Sequence, residues 1–245
     1  MALKISNLSG GYGQTPVLHD VDFSVADGRV VGLIGLNGAG KSTTIKHIIG
    51  LLQPRSGKIE LNGKTLAQDE RAYRQAIAYV PETPVLYPDL TLREHLELTM
   101  MAYSLDKDQA WATLQPMLKK FRLDTKLDWF PDNFSKGMKQ KVMIAAAFMT
   151  NAQLYIIDEP FTGLDPVAVH DLLDLVAAKK AAGASVLMST HVLATAQDNA
   201  DSFVLLKDGR VRAEGTLDQL RVTMQMPAAS LDDMYMAITR EGQSE

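Results

Sequence analysis

The chain has no cysteine in 245 residues. That excludes a disulfide framework and a thiolate metal site, and it suits a reducing cytosol. It also lacks long apolar runs. The longest, Val142 to Met149, is eight residues, where a membrane-spanning helix needs about 18 or more. Any link to a membrane is therefore expected through a partner subunit. There is no Lys/Arg run and the net charge is −4, so nucleic acid is not favoured as a partner. The opening Met1-Ala2-Leu3-Lys4-Ile5 lacks a signal-peptide core. Low-complexity segments and internal repeats are missing as well. What remains is an ordinary folding composition, 46% hydrophobic and 22% charged. It is enough for one large domain, or for a core with an inserted subdomain.

One stretch organises the rest: Gly35-Leu36-Asn37-Gly38-Ala39-Gly40-Lys41-Ser42-Thr43. It fits G-x-x-x-x-G-K-[ST]. Before it, Val30 to Ile34 reads as a buried strand; after it, Thr44 to Leu52 reads as a helix bearing Ile45, Ile48, Ile49 and Leu52. Strand, glycine-rich turn and helix make a phosphate-binding loop. Its successive N–H groups form an anion nest at a helix N-terminus. Lys41 is placed to reach the β- and γ-phosphates of a nucleotide, and the Ser42 hydroxyl to ligate Mg²⁺.

In chain order, residues 3–31 read as β structure, with Val17 to Val25 largely alternating and Gly10 to Gly13 as a turn. Tyr12, in that turn, either stacks on a base or packs on the strands. Lys58 to Leu61 is an alternating strand before Asn62-Gly63, and Ile77 to Val80 is a short buried one. Thr91-Leu92-Arg93-Glu94 is a capping box opening a helix. Asp106 caps a second helix with Trp111, Leu114, Leu118 and Phe121 on one face, where Pro116 is a candidate kink. A third helix follows Ser135-Lys136-Gly137. Strands resume at Leu154 to Ile157 and Ser185 to Ser189, with a helix from Pro166 to about Ala182 between them. That order predicts a parallel β-α-β crossover. Phe203 to Val211 reads as a hairpin, and Leu231 to Met236 as a helical stretch in the tail.

The strand Leu154-Tyr155-Ile156-Ile157 ends in Asp158-Glu159. Acids at the carboxyl end of a strand sit where ligands bind on a parallel sheet. Asp158 suits a Mg²⁺ shell, and Glu159 suits polarising an attacking water, a role worth roughly 10²–10⁴-fold in rate. Ser189-Thr190-His191 ends the next strand, placing His191 to contact the γ-phosphate. No second His or Cys lies at ligand spacing, which argues against a metal role for it.

Taken together, these residues resemble the ATP-binding subunit of ABC transporters. Gly35–Thr43 resembles the Walker A motif and Leu154–Glu159 the Walker B motif with its catalytic glutamate. Gly163-Leu164-Asp165 resembles the D-loop, His191 the switch histidine, and Phe134-Ser135-Lys136-Gly137-Met138-Lys139-Gln140 the signature. Tyr12 then resembles the adenine-stacking aromatic. Tyr79 to Tyr87 and Phe134 to Lys141 bring the resemblance closest to the Ecs-type ATPases of bacteria. Two departures stand out: Glu82 replaces the usual Gln, and the signature departs at Lys136 and Met138 while keeping Ser135 and Gly137.

The resemblance implies an α/β fold: a phosphate-loop, RecA-like core with an antiparallel β subdomain (1–87 and 151–215), an inserted helical subdomain (88–150) and a helical tail (216–245). It implies ATP hydrolysis with Mg²⁺ held by Ser42, Asp158 and Glu82. Ser135 and Gly137 would complete the site of a second copy in an ATP-dependent, head-to-tail homodimer. It also implies a membrane permease partner, a place on the inner face of the cell membrane, and export, because Leu231-Asp232-Asp233-Met234-Tyr235 resembles the ending of export-type subunits. A soluble, non-transport ABC ATPase is the alternative, and usually carries two ATP-binding domains. A small-molecule phosphate-loop kinase would have no use for the signature or for His191.

Overall fold

The computed structural model describes residues 2–241. Two sheets form. A three-stranded antiparallel sheet has the order β2-β1-β4, from β1 (Leu3–Tyr12), β2 (Thr15–Val25) and β4 (Ser56–Leu61). A six-stranded sheet has the order β5-β6-β7-β3-β8-β9, from β3 (Val30–Ile34), β5 (Ile77–Val80), β6 (Leu154–Asp158), β7 (Ser185–Thr190), β8 (Ser202–Lys207) and β9 (Arg210–Gly215). Its pairs are parallel up to β8, and β9 closes the edge as an antiparallel hairpin partner.

The inner strands β3, β6 and β7 are buried along their whole length because both faces are covered, whereas the edge strand β9 alternates exposed and half-buried residues. On β6, Leu154 and Ile156 point into the core shared with the small sheet. Tyr155 and Ile157 point into the opposite core. On the first side packs α1 (Lys41–Ile48), through Ile45 and Ile48. On the second lie α3 (Leu92–Ala102), α4 (Lys107–Lys120), α5 (Lys136–Phe148) and α6 (Pro166–Ala181). A third core joins Ile34 and Phe203 to α7 (Leu193–Asn199), α8 (Leu217–Thr223) and α9 (Leu231–Glu241).

Local sequence explains the helix starts. The Thr91 side chain accepts from the Glu94 amide and the Glu94 carboxylate accepts from the Thr91 amide, a complete capping box. Asp106 caps α4 in the same sense. The expected β-α-β crossover is present as β6-α6-β7. α4 runs as one helix across Pro116; the turn expected at Gly10 to Gly13 is shorter, because Gly10, Gly11 and Tyr12 still pair with β2 as the end of β1. The short α2 (Glu70–Gln75) and the helices α7 and α8 carry too few apolar repeats to announce themselves in the sequence.

Candidate active site

β6, β7 and β3 are neighbours, and the chain leaves the same end of each: after Asp158, after Thr190 and after Ile34. Three motifs distant in sequence thereby meet on one rim. They border a cleft of about 740 Å³ lined by Tyr12, Leu36, Asn37, Gly38, Gly40, Lys41, Ser42, Thr43, Glu82, Glu159 and His191, with Val17 and Thr162. Lys41, Asn37, Gly38, Gly40, Ser42 and Thr43 are therefore brought together with Tyr12, Glu82, Glu159 and His191. Ala39 is buried behind the loop, and Asp158 is buried at the strand end. Ser135 and Gly137 stand outside the lining.

The loop hands directly into α1. Its N-cap is Gly40, at φ 108°, and no side chain caps the first turn. Only glycine takes that backbone easily, and a Cβ there would lie 2.8 Å from Leu18 Cδ2. The first-turn amides are thus left for a ligand, with the helix dipole favouring an anion. The absence of acids in that turn fits the same purpose.

The charged and titratable groups of the cleft are tied to one another. Lys41 Nζ donates to the Gly35 carbonyl at 2.7 Å and lies 3.1 Å from Glu159 Oε1, both side chains being buried. Glu159 Oε2 is 2.8 Å from His191 Nδ1 and accepts the His191 amide. Glu159 Oε1 has the Lys41 charge beside it but no hydrogen bond of good geometry, so one acceptor stays free. Glu159 also holds a left-handed backbone, φ 47°, a conformation that costs a non-glycine residue of order 1 kcal/mol or more and clusters at functional sites. It is locked there by its amide, which donates to Ser189. The Ser189 hydroxyl in turn donates to Asp158 Oδ1. Ser189 therefore orients both acids. Nothing in the sequence singles it out, since a serine in an apolar strand carries no distinguishing signal.

The signature segment has its own logic. Ser135 caps α5 by accepting from the Met138 amide. Gly137 is pressed against the backbone at Gly163: a Cβ on Gly137 would lie 2.5 Å from the Gly163 carbonyl oxygen. Lys141 bonds Asp165 at 2.8 Å. That ammonium, together with the Ala168 amide, holds the Asp165 carboxyl below its ordinary value. Gln140 donates to the Pro81 carbonyl, next to Glu82. The contacts of Gly137, Gln140 and Lys141 each join α5 to a loop of the rim.

The family model for ABC transporters matches residues 18–162, more than half of the chain. The chain belongs to the ABC transporter family. It is 58% identical over 98% of its length, and 97% of the relative's, to the ABC-type transporter ATP-binding protein EcsA of Bacillus subtilis. It is 35% identical, over 87% of this chain and 70% of the relative, to the Nod factor export ATP-binding protein I of Burkholderia orbicola. A solved ATP-binding subunit of an ABC transporter superposes with a TM-score of 0.94 at 56% identity, covering 98% of this chain and all of that one. A dimeric ATP-binding cassette in a post-hydrolysis state, bound to ADP and Pi, superposes with a TM-score of 0.78 at 25% identity, over 88% of this chain and 98% of that one. The protein is thus an ABC ATP-binding subunit and an ATPase with the phosphate-loop NTPase fold. No helix among the described residues is long and apolar enough to cross a membrane.

Proposed function

We propose that this ABC subunit hydrolyses ATP in a head-to-tail pair of copies and so drives a membrane permease that exports its substrate. One observation carries the reading. The cleft gathers Lys41, Glu159 and His191 over an uncapped helix N-terminus, while Ser135 and Gly137 stand outside it on a second helix start. A second copy, rotated, would bring its own Ser135 to the open side of the cleft, where the γ-phosphate lies. The dimeric cassette with ADP and Pi is consistent with such a pair, and the relative named for Nod factor export supports the direction.

In this reading Tyr12, exposed at the cleft mouth, stacks on the adenine. The free amides of the loop and Lys41 bind the phosphates. Glu159 Oε1 accepts a proton from the attacking water, and His191, bonded to the other oxygen of the same carboxylate, holds it in place. The donors near the cleft are hard oxygens, the Ser42 hydroxyl and the Asp158 and Glu82 carboxylates, which is the chemistry Mg²⁺ selects. Bound there, Mg²⁺ would neutralise charge on the β- and γ-phosphate oxygens. The helical segment 88–150 carries the signature. Val85 and Tyr87, 72% and 61% exposed just beyond Glu82, offer an apolar surface to a permease at the inner face of the membrane.

The test is Glu159→Gln, followed by light scattering with Mg-ATP and with ADP. A dimer with ATP alone, with hydrolysis reduced roughly 10²–10⁴-fold, is expected. A dimer that forms without nucleotide would overturn the cycle. Undiminished hydrolysis would remove Glu159 from its role.

A further inference from the structure

The tail helix α9 reaches the phosphate loop. Tyr235, 3% exposed, accepts a hydrogen bond from the Leu36 amide on its phenol oxygen at 2.6 Å, and its own O–H points to the Leu206 carbonyl at 3.4 Å. Leu36 is the second residue of the loop. Its N–H belongs to the same planar peptide as the Gly35 carbonyl, which accepts from Lys41 Nζ at 2.7 Å. One peptide unit is therefore gripped from both sides, by Lys41 on its carbonyl and by Tyr235 on its amide. From this geometry we infer that Tyr235 is a positioning residue for nucleotide binding: it fixes the orientation of the Gly35–Leu36 peptide when Lys41 turns from that carbonyl to a phosphate.

The rest of α9 is built to keep the phenol there. The Leu231 amide donates to Gln197 Oε1 at the start of the helix, and Lys207 Nζ donates to the Ile238 carbonyl near its end. Leu231, Met234 and Ile238 lie in the core with Ile34, the last residue of β3 before the loop. Burial raises the pKa of the phenol, so it stays protonated and keeps both bonds at neutral pH. Without the hydroxyl, the Leu36 amide would lose its partner and the loop would gain freedom that a nucleotide must remove on binding. The coupling is reciprocal: nucleotide in the cleft should tighten α9 as α9 tightens the cleft.

The assignment rests on phosphate binding by the loop, and the experiment separates the two. Tyr235→Phe keeps the ring and removes only the hydroxyl. Its ADP affinity by calorimetric titration and its ATP KM should weaken roughly three- to tenfold, the span of one net hydrogen bond, with kcat held within about twofold. Lys207→Met, which loosens the far end of α9 but leaves the phenol, should lower the melting temperature without that change in KM. In the wild type, ADP should slow amide exchange across residues 231–241, and Tyr235→Phe should abolish the effect. The wild-type titration alone reports on the loop as a nucleotide site. Equal affinities for Tyr235→Phe and wild type, or a KM in Lys207→Met raised as far as in Tyr235→Phe, would overturn the assignment.

Discussion

Glu82 and Glu159 both face the cleft, yet their surroundings assign them different weights. Glu159 is buried, strained and held by Lys41 and His191. Glu82 is exposed at the rim, where water screens its charge, and a glutamine there keeps a side-chain oxygen that can still face Mg²⁺. Glu82→Gln should therefore change the ATPase rate of the isolated subunit by no more than about fivefold, against the far larger loss expected for Glu159→Gln. Steady-state rates on the two variants side by side would check this, and a Glu82→Gln loss beyond a hundredfold would place it among the catalytic groups. Most of the rim was legible in the sequence, because Lys41, Asp158, Glu159 and His191 each sit in a motif or at the end of an apolar strand. Ser189 and Tyr235 were not. Their hydroxyls matter through what folding puts beside them, the acids of β6 for one and the Leu36 amide for the other, and neither neighbour is close in sequence.

Among the elements, α5 shows why a signature glycine is needed within a single copy. Gly137 lies against the Gly163 carbonyl, which is backbone and cannot swing away. In Gly137→Ala either α5 or the loop before α6 must shift, an overpacking cost of roughly 1–3 kcal/mol. At about 2–4 °C per kcal/mol for a chain of this size, the melting midpoint of the isolated subunit should fall by several degrees. Thermal melts without nucleotide, where no second copy is engaged, would show this. A wild-type midpoint would mean that Gly137 serves only a facing copy. The capped helices α3 and α4 could be read from Thr91, Glu94 and Asp106, since caps are local. The contact of α5 with the D-loop could not, because Gly137 and Lys141 find Gly163 and Asp165 only after β6 has returned to the sheet.

At the scale of the whole molecule, the proposed head-to-tail pair would leave each copy with half of two sites. Its cleft carries Lys41, Glu159 and His191, and its exposed α5 start carries Ser135. That proposed pair is symmetric, so in it one copy's Glu159 would work with the other copy's Ser135. This makes complementation calculable. Glu159→Gln destroys the cleft of the copy that bears it, and Ser135→Phe blocks the cleft of the copy facing it. Either variant alone has two dead sites per dimer. In a mixed dimer both lesions fall on one site, and the other pairs an intact Glu159 with an intact Ser135. Random pairing of equal amounts makes half the dimers mixed, each with one working site of two, so activity should recover to about a quarter of wild type if sites turn over independently. Measuring ATPase rate against mixing ratio decides the matter. A maximum at equal amounts supports the shared site, and no recovery at any ratio means that Ser135 acts within its own copy or that both sites must fire together. A second mixture, Glu159→Gln with wild type, separates these last two, because obligate coupling would suppress the wild-type copy as well.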